Sequence, residues 1–320
     1  MGILVTSPRP FPPPPPAVPW PGVAAMRWLV PDLVPEGDAP EAHALNLLDP
    51  EAHGLMLVQN GVRGLGMPKV QRWAATAPAV DGSRWRGHRV EEREVFWPLL
   101  VWSDAGTDAW LARDQRLWAG LRPDLVGLWQ IATPSGWRTL RCRWTEADDQ
   151  FARDPMRSGW NVYGISLVAE QPYWEGATST IQWSSGAGVP FLPGPPFTMS
   201  GSRSLNDATL DNPGDVPLWP VWRIHGPCST ARVGVAGAVI EVPFAVPAGQ
   251  TLVIDTSPEA QTATMYPTGR YSGNGLDRTG LLGAAAFAPV PPAGRVVLSL
   301  AAAGGGSVEC SVTPRYYRAW

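Results

Sequence analysis

The sequence predicts a mainly β protein made of two consecutive units, the first carrying one packed α-helix. Three observations lead there. Glycine and proline supply 34 and 36 of 320 residues, and they fall between short apolar alternations, where they punctuate turns. Hydrophobic residues make up 44% of the chain, enough for a core in each of two ordinary domains at this length. Composition then shifts: thirteen of the 17 tryptophans lie at or before Trp174, which places the expected division at 1–175 and 176–320.

The stretch that marks the division is Asn161 to Trp174. Tyr163, Ile165, Leu167 and Ala169 alternate there with Val162, Gly164, Ser166 and Val168. Both sets are largely apolar, so a strand buried on both faces is expected. Pro172, which has no amide proton, and Gly176 end it.

Taken in order, Met1–Thr6 formally matches a myristoylation pattern but reads as a short extended arm. Pro12–Pro16 must adopt polyproline II, a stiff spacer suited to crossing a surface or a neighbouring subunit, with an SH3-type ligand as the alternative. Short strands are expected at Met26–Val30 and Gly54–Val58, around an acidic, proline-bearing loop from Pro31 to Pro50. Gly61–Pro68 holds three glycines and Arg63, but no Gly-Lys-Ser/Thr follows, so it reads as a glycine-rich turn and not a phosphate loop. Val70–Trp73 is extended, and Val90–Trp102 is a strong strand with Val95, Trp97, Leu99 and Val101 on one face.

One helix is expected, from about Asp108 to Leu121, capped by Thr107 or Asp108 and lying on a sheet through Trp110, Leu117 and Trp118. Pro134-Ser135-Gly136 then joins Leu128–Thr133 to Trp137–Trp144 as a hairpin. Leu140, Cys142 and Trp144 face one way and Thr139, Arg141 and Arg143 the other. Glu146, Asp148, Asp149 and Asp154 lack the spacing and glycine of a calcium loop and read as a solvated acidic turn. The many tryptophans of this unit serve either a bulky core or subunit contacts.

After Gly176 the expected strands are Thr178–Trp183, Phe197–Ser200, Ala208–Leu210, Trp219–Ile224, Arg232–Val235, Val239–Val242, Thr251–Asp255, Arg295–Leu300 and Ser307–Val312. Their regular spacing, with no helix signal between them, is that of a β-sandwich.

A net charge of −3 and a pI near 5.8 disfavour a tight nucleic-acid binder, though a protein that lets DNA pass would suit this balance. Cys142, Cys228 and Cys310 are odd in number and far apart, hence reduced and structural. No run is long enough to span a membrane, and no cleavable signal is expected, so the chain reads as soluble and made in the cytoplasm. His43, His53, His88 and His225 lack metal-ligand spacing, and the first three are expected to be solvated. Asp148/Asp149 and Glu91/Glu92 are adjacent and point apart. No nucleophile elbow, zinc helix or dinucleotide fingerprint is present. The expectation is therefore no enzyme, with no catalytic, cofactor-binding or metal residue.

The order of turns resembles the distal tail proteins of long-tailed, non-contractile bacteriophages, nearly end to end. The resemblance is carried by Gly61–Pro68, the helix and Trp129 strand after Asp108, Gly164–Trp174 and Asn212-Pro-Gly-Asp215 leading into Trp219–Gly226. Gly249–Thr256, Phe287 with Pro289–Gly294, and the ending Thr313–Trp320 continue it. It implies a first domain related to tail-tube subunits, a sandwich or barrel with one packed helix, assembling as a homo-hexamer around a channel. It also implies a second, galectin-like β-sandwich facing outward.

The implied function is a minor tail protein at the distal end of the virion, assembled in the host cytoplasm. This hub would join the tail tube protein to the tail-tip and receptor-binding proteins, beside the tape measure protein and a tail-associated hub or fibre protein. DNA would pass without specific binding, and neither cofactor nor membrane is implied. The chain departs from sugar-binding galectins, because Asn212-Pro213 is followed by Gly214-Asp215 and has no upstream histidine. Asn212–Asp215 reads instead as a tight turn setting the register of the Trp219–Ile224 strand. A glycan-recognition module using exposed tryptophans is the second hypothesis, and a cell-wall-degrading enzyme the third.

Overall fold

The computed structural model describes residues 25–49, 53–58, 61–148, 154–184 and 208–320. The Met1–Thr6 and Pro12–Pro16 expectations, the Phe197–Ser200 strand and Asp149 of the acidic turn lie outside these residues. Among them the chain is mostly strand, arranged around two separate hydrophobic cores.

The first core is wrapped by an antiparallel sheet. Its path runs Leu45–Asn46, Met26–Leu29, Gly127–Thr133, Gly136–Asp148, Trp160–Ala169, Arg93–Trp102 and Leu55–Leu57. The two ends of this path meet, since the Leu57 amide donates to the Leu47 carbonyl at 2.8 Å. The sheet is thus a nearly closed barrel, which leaves little free edge. Thr133 pairs with Gly136 across the expected tight turn. Alternation does the sorting: Val95, Trp97, Leu99 and Val101 are all buried, facing Tyr163, Ile165, Leu167 and Ala169.

The Trp160–Ala169 strand corrects the two-faced burial expected from composition. Val162 is 40% exposed, and Gly164, Ser166 and Val168 are only half-buried. This outer face is only partly covered among the described residues, where the strand runs between its two neighbours.

Inside the barrel, tryptophan fills the volume. Trp28, Trp97, Trp129 and Trp174 contact one another in sequence at centroid separations of 5.1, 5.3 and 5.1 Å, the first two contacts edge-to-face as ring quadrupoles prefer. Trp28 donates its indole N–H to Gly120 at the end of the helix, 3.0 Å away. A Cβ on Gly127 would lie 1.8 Å from the Trp28 ring, so only a glycine lets this strand pass so close to the indole.

The helix spans Thr107–Ala119 and lays Trp110 and Leu117 into the barrel core, with Trp118 packed beside them. Its cap differs from the expected Thr107 or Asp108. Gly106 occupies the N-cap at φ 97° with no side-chain cap, and Thr107 donates instead to the Met156 carbonyl at 3.0 Å. Tyr163 donates to Asp114 at 2.7 Å and fixes the helix to the sheet. Burial, and the Asp114 carboxylate next, push the Tyr163 hydroxyl up to about 12.

The second core lies within a β-sandwich. One layer runs Ser179–Ser184, Ser307–Val312, Val221–His225, Gln250–Asp255, Thr262–Pro267 and Leu276–Asp277. Across from it lie Ala238–Val242, Cys228–Val235 and Ala301–Gly304, with the pair Thr209–Asp211 and Arg295–Val297 alongside. Trp183, Trp222, Ile224, Leu252 and Val308 meet Leu210, Val233, Ile240 and Val242 between the layers. The three cysteines are free and buried, one in the barrel and two in the sandwich, and burial pushes their thiols up.

Candidate assembly surfaces

Three surfaces stand out. The first is a joint. Arg93 begins a barrel strand with its side chain turned inward and only 2% of the residue exposed. Its guanidinium has no carboxylate partner among the described residues. It donates to four backbone carbonyls instead: Pro172 and Gly64 at 2.7 Å, Gly66 at 2.6 Å and Tyr317 at 2.6 Å. Burial pulls its pKa down to about 10, so it stays charged at neutral pH. One cation thus pins the glycine-rich turn, the Pro172 crossing and the far end of the chain.

That far end returns from the sandwich to the barrel. Arg315–Tyr316 pairs with Trp174–Glu175, Ala319 is fully buried in the first core, and its amide donates to Leu65 at 2.9 Å. Asn212–Asp215 sits at the same place. The Asn212 side chain accepts from the Gly214 amide at 2.9 Å and donates to Val216, Val290 and Pro291 carbonyls, while the Asp215 amide donates to Arg315 at 2.9 Å. The expected tight turn is present, and it also holds the returning tail.

The second surface is a hairpin, of which only an extended Val70–Trp73 was expected from the residues. Val70–Ala77 and Val80–Val90 pair with each other and with no other strand among the described residues. Trp73 and Trp85 are 45% and 55% exposed. Cross-strand register places Trp73, Arg84 and Arg89 on one face and Arg72, Trp85 and His88 on the other. At its base Lys69 pairs with Glu94, and the Glu91 amide donates to Lys69.

The third is the outer face of the six-stranded sandwich layer. Arg223 donates to Glu309 at 2.5 Å and Ser311 at 2.7 Å, His225 contacts Glu309 at 3.5 Å and Thr251 at 2.9 Å, and Arg223 lies over Tyr271 at 5.1 Å. These cross-strand pairs read as ordinary sheet-face stabilisation, with the buried Arg223 Nε left without a hydrogen-bond partner among the described residues.

The other expected positions are scattered. His43 pairs with Asp38 at 2.9 Å and His88 stacks by Trp85, both toward solvent. His53 departs from the solvated expectation. Its Nδ1 accepts from the Asn46 amide at 3.1 Å, and burial, then the Arg116 charge, lower its pKa. Among the described residues no group of three His, Cys, Asp or Glu could hold a metal, and no helix is long and apolar enough to cross a membrane.

No protein-family model matches the sequence. It is 25% identical over 199 residues to Minor tail protein Gp27 of Mycobacterium phage D29, a match covering 56% of this chain. The matched part is 55% of that relative, so the chain spans about half the length of the curated protein it matches. Among solved structures the fold superposes on the Dit protein (gp 19.1) of phage SPP1 with a TM-score of 0.60 at 14% identity, covering 91% of this chain and 98% of that one. It also superposes on a chain of the phage P2 baseplate, in its activated conformation with Ca, with a TM-score of 0.52 at 9% identity over 92% and 98% of the two chains. The mainly β fold expected from the residues is therefore the one observed, and the chain is similar in sequence to a phage minor tail protein and in fold to the Dit protein of phage SPP1.

Proposed function

We propose that the chain is a distal tail hub: six copies form a ring that joins the tail tube to the tail-tip and receptor-binding apparatus and leaves a channel for DNA. Residues 1–175 are the ring-forming unit and 176–320 the outward-facing galectin-like sandwich, whose last residues, 315–319, return to the barrel. The observation that carries this reading is the Val70–Val90 hairpin, which reaches away from a barrel that otherwise leaves little free edge, with two tryptophans bare. Exposed tryptophan beside arginine is the composition of a protein contact. The SPP1 Dit protein is described as a paradigm of the hub adsorption apparatus in phages infecting Gram-positive bacteria, which fits the same role.

The work of such a hub is mechanical and needs no bond chemistry. The barrel gives a rigid wall, the Arg93 joint ties the sandwich to it at two chain crossings, and the mildly acidic balance does not hold passing DNA. Its partners are then the tail tube protein, the tape measure protein, a tail-associated hub or fibre protein and the receptor-binding proteins, at the distal end of the virion.

Native mass across a concentration series, with negative-stain images of the same samples, tests it. Six-fold rings with an open centre are expected. A chain that remains monomeric alone and in the presence of tube protein overturns the ring. Trp73 and Trp85 equally favour a second reading, glycan recognition by stacking, in which cell-wall polysaccharide binds the monomer and both tryptophans are needed.

A further inference from the structure

Two exposed segments of the barrel unit carry opposite charge. The hairpin has Arg72, Arg84, Arg86 and Arg89 against Asp81 alone, and none of the four arginines has an ion-pair partner among the described residues. The Pro31–His43 loop has Asp32, Glu36, Asp38 and Glu41, all exposed, with no lysine or arginine of its own. Its ion pairs are Glu41 with Arg27 at 3.9 Å and Asp38 with His43.

We propose that the hairpin of one copy docks on the Pro31–His43 loop of a second copy of this chain. This rests on the hub reading and names the contact that would build the ring. Topology separates the two segments within one molecule. The loop leaves the end of the Met26–Leu29 strand, and the hairpin enters the start of the Arg93–Trp102 strand. Three strands lie between these two, each antiparallel to the next, so Met26–Leu29 and Arg93–Trp102 point the same way.

Loop and hairpin therefore sit at opposite strand ends. A self-complementary dimer through the hairpin would face arginine with arginine. Pairing basic hairpin with acidic loop is instead heterologous, the contact type that repeats around a ring. An isolated two-stranded hairpin is marginal in water, and a partner surface supplies the missing layer. Leu33, 43% exposed within the acidic loop, offers Trp73 an apolar seat.

The test uses the full chain and compares wild type with Arg84→Glu/Arg89→Glu, with Asp32→Arg/Glu36→Arg, and with all four changes combined. All four side chains are exposed, so thermal unfolding of the monomer should be unchanged and serves as the folding control. Each pair of reversals should raise the concentration for half-assembly by about tenfold or more, and the combined variant should return to within about threefold of wild type. Wild-type assembly should also weaken between ~50 and ~500 mM salt.

Assembly unaffected by either reversal overturns the contact and leaves the hub standing. A wild type that never assembles overturns both. Reversals that leave assembly intact but abolish retention of a duplex of about 30 bp would assign the hairpin to nucleic acid instead.

Discussion

The barrel wall and the Val70–Val90 hairpin are both antiparallel sheet and both carry tryptophan, yet they use it oppositely. In the wall, Trp97 and Trp129 are fully buried and touch other indoles. On the hairpin, Trp73 and Trp85 face solvent on a ribbon that no other strand covers. Of the choice posed by composition, bulky core or subunit contact, the wall tryptophans are core, and the exposed hairpin tryptophans are the ones proposed above for contact. The first role sets stability of the single molecule; the proposed second role would be read in self-association.

Substitutions should separate the two roles. The largest effect is expected for Trp97→Ala, which empties the centre of the indole chain and should cost about 4 kcal/mol in chemical unfolding. Arg93→Met comes next. It leaves four inward carbonyls without their donor and should cost about 3 kcal/mol, with rapid amide exchange appearing first in the 315–319 tail. Gly127→Ala places a methyl against the Trp28 ring and should cost about 2 kcal/mol while leaving the sandwich transition unchanged.

A smaller effect is expected from His53. Its folded pKa lies below the ordinary 6.5, so the neutral form is favoured on folding. The stabilisation is fully present above that value and is lost as pH falls below it, because the unfolded chain takes up the proton more readily. Melting temperature against pH should show this slope for wild type and lose it in His53→Gln. Smallest for the monomer is Trp73→Ala, expected within about 0.5 kcal/mol because the side chain is exposed, yet it should weaken self-association. If Trp73→Ala unfolds the chain as Trp97→Ala does, the contrast between wall and hairpin fails.

Much of this architecture was legible in the residues. The Val95/Trp97/Leu99/Val101 alternation, the Trp110/Leu117 stripe and the Pro134-Ser135 turn encode their structure locally, and all three lie where pattern placed them. The failures are non-local. Gly164, Ser166 and Val168 look apolar, but what lies over a strand is decided by other parts of the chain. The hairpin escaped notice because both its faces are wet, so Gln71 to Arg89 carries no apolar period to mark it. Arg93 gave no signal at all. One arginine in a strand looks like any other until its four carbonyl partners, drawn from three segments, are assembled around it.

The returning tail has a consequence for the order in which the molecule is made. Tyr317 and Ala319 complete a site whose other walls, Gly64, Arg93 and Trp174, are synthesised long before. The barrel strands can pair as soon as they have left the ribosome, but the Arg93 cluster lacks its Tyr317 partner until the whole sandwich has been translated. Only a chain carried through to residue 319 completes this cluster, so a copy broken off within the sandwich would lack the contacts that tie the two units together.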